Sequence, residues 1–200
     1  MGLFTGKKVV ITAPAPHITE VKQDFSDYDF VCRVNAMIPL SEELIEATGD
    51  RVDVWFPANS LLERQPELCQ YPKIIRTTKT GLSSVPQEYK SKVSIMNKHH
   101  DKLKITLEST PNRALRAIVD VLLDCPALLY VTGVTFYKTG GYYKTYGCYN
   151  VNDKAETTKG DFGGHSQERQ LGYFVKEIAH KIKMDTTLEK IVKNYGKQTN

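Results

Sequence analysis

The sequence predicts an α/β fold, a mostly parallel sheet covered by helices on both faces, and three observations carry that prediction. Short apolar, β-branched runs alternate with segments of helical spacing along the chain, the signature of successive strand–helix units. The strongest runs, Lys8-Val9-Val10-Ile11-Thr12-Ala13 and Ala127-Leu128-Leu129-Tyr130-Val131-Thr132, are nearly continuous in apolar residues, as central strands buried on both faces are. No internal repeat and no linker divides the 200 residues, so a single domain over 1–200 is expected. That length suffices for one well-buried core and is short for two.

The elements follow in order. The first strand, Lys8 to Ala13, is stopped by Pro14 and Pro16. Tyr28 to Val34 is a second strand, followed by the polar Asn35 and then Pro39. Ser41-Glu42-Glu43-Leu44-Ile45 opens a short helix, with Ser41 as N-cap and acids in the first turn, and it ends near Gly49. Arg51 to Phe56 is a third strand, closed by Pro57, and Leu61 to Cys69 is helical. Lys73 to Arg76 and Lys92 to Met96 read as strands, with the intervening TTKTGLSSVPQEY stretch a loop. Asn97 to Lys104, with His99-His100, has no clear pattern.

The clearest helix begins at Thr110. Thr110 is the expected N-cap, Pro111 suits the first helical position, and Leu115, Ile118, Val119 and Leu122 recur at helical spacing up to Asp124. The strand Ala127 to Thr132 follows and closes on Gly133. The 32 residues from Gly133 to Gly164 hold seven glycines and five tyrosines, too long for a plain connector. A helix from Ser166 to Lys183 and a last amphipathic one from about Thr187 to Lys193 complete a Rossmann-like reading.

Composition narrows the classes. Charged residues make up 25% of the chain and hydrophobic ones 40%, ordinary for a globular protein and unlike a disordered one. A net charge of +4 helps attract a phosphate-bearing ligand but falls short of a nucleic-acid binder's basic density, so nucleic acid is not an expected partner. No window approaches the ~20 apolar residues of a membrane span, and Lys7 and Lys8 interrupt the N-terminal stretch at once. A cytoplasmic location with reduced, mostly buried thiols at Cys32, Cys69, Cys125 and Cys148 is therefore expected. The cysteines are widely spaced without a CxxC pair, so no metal site is read from them. Neither a heptad nor an exposed apolar stripe speaks for an assembly.

In an open α/β sheet, ligands bind beyond the carboxyl ends of the strands. Those ends carry Thr12-Ala13-Pro14, Arg33-Val34-Asn35, Pro57-Ala58-Asn59-Ser60 and Thr132-Gly133. The helix start at Thr110 aims free N–H groups at the same region, with Asn112 and Arg113 in its first turn. Each feature has a plain structural explanation, since asparagines favour turns and threonines cap helices; their convergence is what marks a site. In the Gly/Tyr segment, Tyr142, Tyr143 and Tyr146 can stack on a base or sugar, with Lys138 and Lys144 beside them, or belong to a surface loop. Interleaved aromatics and lysines also suit a single-stranded nucleic acid. His165, on a loop at a helix start, is the first candidate general base, with Glu168 to orient it or cap the helix; His17 is the second. His99, His100 and His180 read as surface residues.

Three stretches together resemble the eukaryotic-type sialyltransferases, family 29 of the glycosyltransferases. The first runs from Asp29-Phe30-Val31-Cys32-Arg33-Val34-Asn35 to Pro39 and on to Gly49-Asp50-Arg51-Val52-Asp53-Val54, similar to that family's long motif. The second, Thr110-Pro111-Asn112-Arg113 through Cys125 to Gly133-Val134-Thr135-Phe136, is similar to its small motif. His165-Ser166-Gln167-Glu168 resembles its very small motif, with two residues between His and Glu where the family has four. Ala13-Pro14-Ala15-Pro16-His17 stands in place of the family's Gly-Asn-Gly, and Asn112-Arg113 in place of a Ser-Gly pair.

The resemblance implies a sialyltransferase-like variant of the GT-A class that transfers a sialic-acid-like sugar from a CMP-sugar, with inversion and without metal or cofactor, to a glycan or other hydroxyl acceptor. It assigns nucleotide contacts to Asn35, donor phosphate or carboxylate contacts to Thr110, Asn112 and Arg113, and phosphate hydrogen bonds to Tyr142, Tyr143 or Tyr146. His165 takes the proton of the acceptor hydroxyl. Ala13, Asn59, Thr132 and Gly133 join the donor site as strand-end residues. The alternative is a CMP-binding or nucleotide-processing protein on the same fold that transfers no sugar.

Overall fold

A computed structural model of the chain describes residues 2–96, 100–139 and 165–198. Seven strands form one sheet: β1 (Lys8–Thr12), β2 (Phe30–Val34), β3 (Val54–Phe56), β4 (Ile74–Thr77), β5 (Val93–Ile95), β6 (Leu128–Thr132) and β7 (Lys183–Met184). Their order is β5-β4-β3-β2-β1-β6-β7, and every pairing is parallel. The chain steps outward from β1 to β5 and then returns to β1's other side. The reversal between β1 and β6 opens a crevice beyond their carboxyl ends.

Alternation along β1 feeds two layers. Val9 and Ile11 pack into one core with Cys32, Val34, Phe56 and Val131, while Val10 joins Phe25 and Val31 on the opposite side. Against the first face lie α3 (His100–Leu107), α4 (Arg113–Leu123), α5 (Gln167–Tyr173) and α6 (Thr186–Gln198). The other face carries α1 (Glu42–Thr48) and α2 (Asn59–Arg64), packed on Trp55, Ile75 and Met37. Helices thus cover both faces, as predicted. In α4, Leu115, Ile118 and Val121 are fully buried at helical spacing. Truncating one such leucine to alanine costs about 2–5 kcal/mol through lost transfer energy and the cavity left behind.

Several boundaries depart from the sequence reading, each for a local reason. Ser41 does cap α1, its Oγ accepting the Leu44 N–H at 3.3 Å. The expected helix Leu61 to Cys69 is broken at Gln65 (φ −139°), because Pro66 bars the α conformation to the residue before it. A short tight helix, Pro66–Gln70, follows. Of Asn97 to Lys104, without a clear pattern in sequence, the described residues from His100 on belong to α3. The N-cap of α4 is Asn112, not Thr110. Asn112 is extended (φ −67°, ψ 165°), and its side chain accepts the Leu115 N–H, so Pro111 precedes the helix.

The long helix expected from Ser166 to Lys183 is also interrupted. After α5 the backbone widens into a π turn over Phe174–Ile178 that keeps both of those residues buried. It then tightens over Ala179–Lys181 and enters the edge strand β7. Cys32 and Cys69 are buried free thiols as expected, whereas Cys125 is exposed, since it lies on the turn between α4 and β6. No helix among the described residues is long and apolar enough to cross a membrane.

Candidate active site at the sheet reversal

A cleft opens at the reversal point. It is lined by Ala13, Pro14 and Ala15 after β1, Val34 and Asn35 at the end of β2, and Gly133 to Tyr137 after β6. Asn112, Arg113 and Ala114 close it from the start of α4. It offers about 50 Å³, room for a few waters or for one group of phosphate or carboxylate size.

Asn35 is held in the left-handed conformation (φ 55°) that asparagine tolerates better than most residues. Its N–H donates to the Phe56 carbonyl at 3.0 Å, and its own carbonyl accepts the indole N–H of buried Trp55 at 2.6 Å. The backbone is thus pinned twice. The side-chain Oδ1, by contrast, is buried with no hydrogen-bond partner among the described residues. A buried acceptor left unsatisfied in a cleft is an observation that points to a ligand donor.

Arg113 supplies the charge. Among the described residues no carboxylate lies within ion-pair distance of it, and its guanidinium makes only a 3.8 Å contact with the Met96 sulfur. Burial, with the charge of Arg116 adding to it, draws Arg113 down to about 9. Arg116 is itself drawn down to about 10, chiefly by burial and partly offset by Asp101. Both remain protonated at neutral pH, and an anion beside Arg113 would relieve the strain on its charge. Arg113 and Ala114, which carry the first N–H groups of α4, line the same place.

The residues of the long-motif resemblance divide between site and scaffold. Asn35 lines the cleft, whereas Arg33 is fully buried and donates to the carbonyls of Thr48 and Gly49 at 3.1 and 2.9 Å. It thereby caps the C-terminal end of α1 with a positive charge. Asp53 accepts from the Val31 N–H, Arg51 and Lys73, tying β2 to the neighbouring loops.

The other predicted residues fall in different places. Ala13, Asn112, Arg113 and Gly133 line the cleft with Asn35. Thr132 is buried just behind it. Asn59 lies away from it, its amide engaged with Thr80 and Thr78. Thr110 serves through its backbone: its carbonyl accepts from His165 Nδ1 at 2.6 Å. A carbonyl can only accept, so in the neutral ring Nδ1 carries the proton and Nε2 the lone pair. Glu168 does not orient His165. It pairs with Lys138 at 3.3 Å, and Ser166 caps α5. Tyr142, Tyr143 and Tyr146 lie outside the described residues, as do Lys144, Tyr149, His99 and Cys148.

Two features escaped the sequence. Asp185 receives the N–H of Gly133 at 2.8 Å and the His17 ring at 2.9 Å, so the second-ranked histidine is tied to a carboxylate. Asp120, on α4, pairs bidentately with Arg76 of β4 at 2.7 and 3.2 Å, both side chains buried, and so anchors the helix that carries Arg113. Asp-Thr-Thr-Leu at 185–188 is a recognisable cap signature; nothing local marks the second pair. Among the described residues no group of three His, Cys, Asp or Glu side chains is placed to hold a metal ion.

No protein-family model matches this sequence, and no curated protein does. Among solved structures the chain is similar to the sialyltransferase CstII from Campylobacter jejuni in complex with the substrate analogue CMP-3FNeuAc. That match has a TM-score of 0.53 and 16% identity over 91% of this chain and 87% of that one. A variant of the sialyltransferase CST-II in complex with CMP is similar at a TM-score of 0.54, with the same identity and coverage, 16%, 91% and 87%. At this identity the likeness is one of fold: a Rossmann-like α/β architecture shared with sialyltransferases.

Proposed function

We propose that the chain is a glycosyltransferase that uses a CMP-sugar donor and transfers a sialic-acid-like sugar, with inversion, to the hydroxyl of a glycan or similar acceptor. One observation carries the reading: an arginine, the first two N–H groups of a helix and a buried asparagine oxygen meet at the reversal point of the sheet. Among the described residues none of them has a carboxylate or a hydrogen-bond acceptor or donor to match, save a 3.8 Å contact of the arginine with the Met96 sulfur. The fold likeness to structures whose names include CMP and a CMP-sugar analogue supports the choice of nucleotide. The three motif resemblances support a relationship to glycosyltransferase family 29.

In this mechanism the donor phosphate lies against Arg113 and the first N–H groups of α4. Asn35 Oδ1 accepts from a donor group of the nucleotide, such as an exocyclic amine or a ribose hydroxyl. Nε2 of His165 takes the proton of the acceptor hydroxyl as its oxygen bonds to the sugar carbon. The sugar–phosphate bond breaks on the opposite face, and its electron pair stays on the phosphate, where Arg113 and the helix start stabilise it. Arginine does here what a divalent cation does in other transferases, so the reaction needs no metal.

A second reading, a CMP-binding protein without transfer, draws on one observation: His165 is not among the residues that line the cleft. Release of CMP from a CMP-sialic acid donor, with and without a galactose-terminated acceptor, separates the two. Acceptor-dependent release supports transfer. CMP binding with no release over hours would leave the second reading standing.

A further inference from the structure

Asp185, at the corner between β7 and α6, uses both carboxylate oxygens. Oδ1 accepts the Leu188 N–H at 2.8 Å, the N-cap bond of α6. Oδ2 accepts the Gly133 N–H at 2.8 Å and lies 2.9 Å from His17 Nε2. The side chains of His17 and Asp185 are only 14% and 11% exposed. Since the carboxylate accepts, His17 donates through Nε2, and its Nδ1 is left buried without a partner among the described residues.

Gly133 is where this arrangement meets the cleft. Its φ is 70°, and a Cβ there would fall 1.9 Å from the Ala13 carbonyl oxygen, so the two strand-end loops touch backbone to backbone. Ala13 N–H donates to the Thr132 carbonyl at 3.0 Å, and Ala15 N–H donates to the Gly133 carbonyl, also at 3.0 Å. The segments that line the cleft from β1 and from β6 are therefore joined at Gly133. The loop after β1 is joined again, through His17, to the same carboxylate.

We propose that His17 and Asp185 are positioning residues of the cleft, a clasp that holds the loop after β1 and the loop after β6 at the separation the nucleotide requires. The residues act through Gly133 and Ala15 rather than by touching ligand. The inference rests on the nucleotide reading above for its ligand, but the clasp itself is a property of the free protein. Asp185 is the shared post: an asparagine there keeps the Leu188 cap through its oxygen but offers the Gly133 N–H no acceptor. Such an asparagine turns its NH₂ towards the Gly133 N–H, donor against donor.

The test is calorimetric titration of CMP into the full chain and its D185N, H17Q and H17L variants, with amide hydrogen exchange at Gly133 and Ala15 measured on each. Glutamine can donate to Asp185 as His17 does, and leucine only fills space. The expected result is wild-type affinity within about threefold for H17Q and at least about tenfold weaker binding for H17L and D185N. Gly133 exchange is expected to accelerate at least about tenfold in D185N while helical circular dichroism is kept. Wild-type affinity and protection in D185N, or equal losses in H17Q and H17L, would overturn the clasp. If wild-type protein fails to bind CMP, the nucleotide reading falls, and exchange at Gly133 and Ala15 alone decides the clasp.

Discussion

His165 hangs from the backbone of Thr110: Nδ1 lies 2.6 Å from the carbonyl oxygen across 55 residues of sequence. Ser166 N–H donates to Ser109 Oγ at 2.8 Å beside it, so the histidine is fixed to the turn between α3 and α4 that leads into Arg113. The proposed base and the proposed anion site therefore share one support, and the tautomer that leaves Nε2 unprotonated is set by a backbone atom. His165→Ala is expected to lower kcat by about 10²–10⁴ while CMP affinity stays within about threefold. Steady-state kinetics beside calorimetry checks the split; equal loss in both would move His165 from chemistry to binding.

Asn35 has two separable jobs, a left-handed backbone and a side-chain acceptor with no partner among the described residues. Asn35→Gly keeps the backbone at ease and removes only the acceptor. It is expected to weaken CMP about tenfold with little change in Tm, the worth of one hydrogen bond. Asn35→Ala adds about 1–2 kcal/mol of backbone strain. A glycine variant that binds CMP as wild type does would remove Asn35 from the site.

The buried Arg76–Asp120 pair joins β4 to α4. Breaking it one-sidedly, as in Asp120→Leu, leaves a buried guanidinium and is expected to cost about 3–5 kcal/mol. The double variant Arg76→Met with Asp120→Leu is expected to recover most of that. Urea denaturation of the wild type, Asp120→Leu, Arg76→Met and the double variant provides the cycle, and additive losses would show that the two residues act independently.

Acid sensitivity follows from Asp53 and Asp185. Burial pushes both carboxyls up, but hydrogen bonds outweigh it and hold each below the ordinary 3.8: from Lys73, Val31 and Arg51 for Asp53, and from His17, Leu188 and Gly133 for Asp185. A depressed carboxylate contributes stability that is present above its unfolded value and lost as pH falls through the folded one. Stability is thus expected to decline below about pH 4, and Asp53→Asn to flatten that decline, in denaturation curves taken from pH 7 to 2.

Much of this was legible in the sequence because the signals are local. Periodicity and continuous apolar runs located β1 to β6 and α4 but not the two-residue β7, and strand ends pointed to Ala13, Asn35 and Gly133, which do line the cleft. Local rules misplaced the cap at Thr110, since Pro at the first helical position and Asn as N-cap compete for adjacent residues, and tertiary bonding to Gln170 decided for Asn112. They also missed the pairs made over long separations, Arg76–Asp120 and His17–Asp185, 44 and 168 residues apart. No spacing rule spans such distances; the sheet order creates them.

The account turns on Arg113, a guanidinium that folding leaves without a carboxylate partner among the described residues and that burial disfavours. Its most direct measurement is titration of CMP into the wild-type chain and Arg113→Met, with thermal unfolding of each in the absence of ligand. A residue kept for ligand at the expense of stability predicts an unchanged or higher Tm for the methionine variant together with CMP affinity reduced at least about tenfold. Undiminished CMP binding by Arg113→Met, or no binding by the wild type, would contradict it.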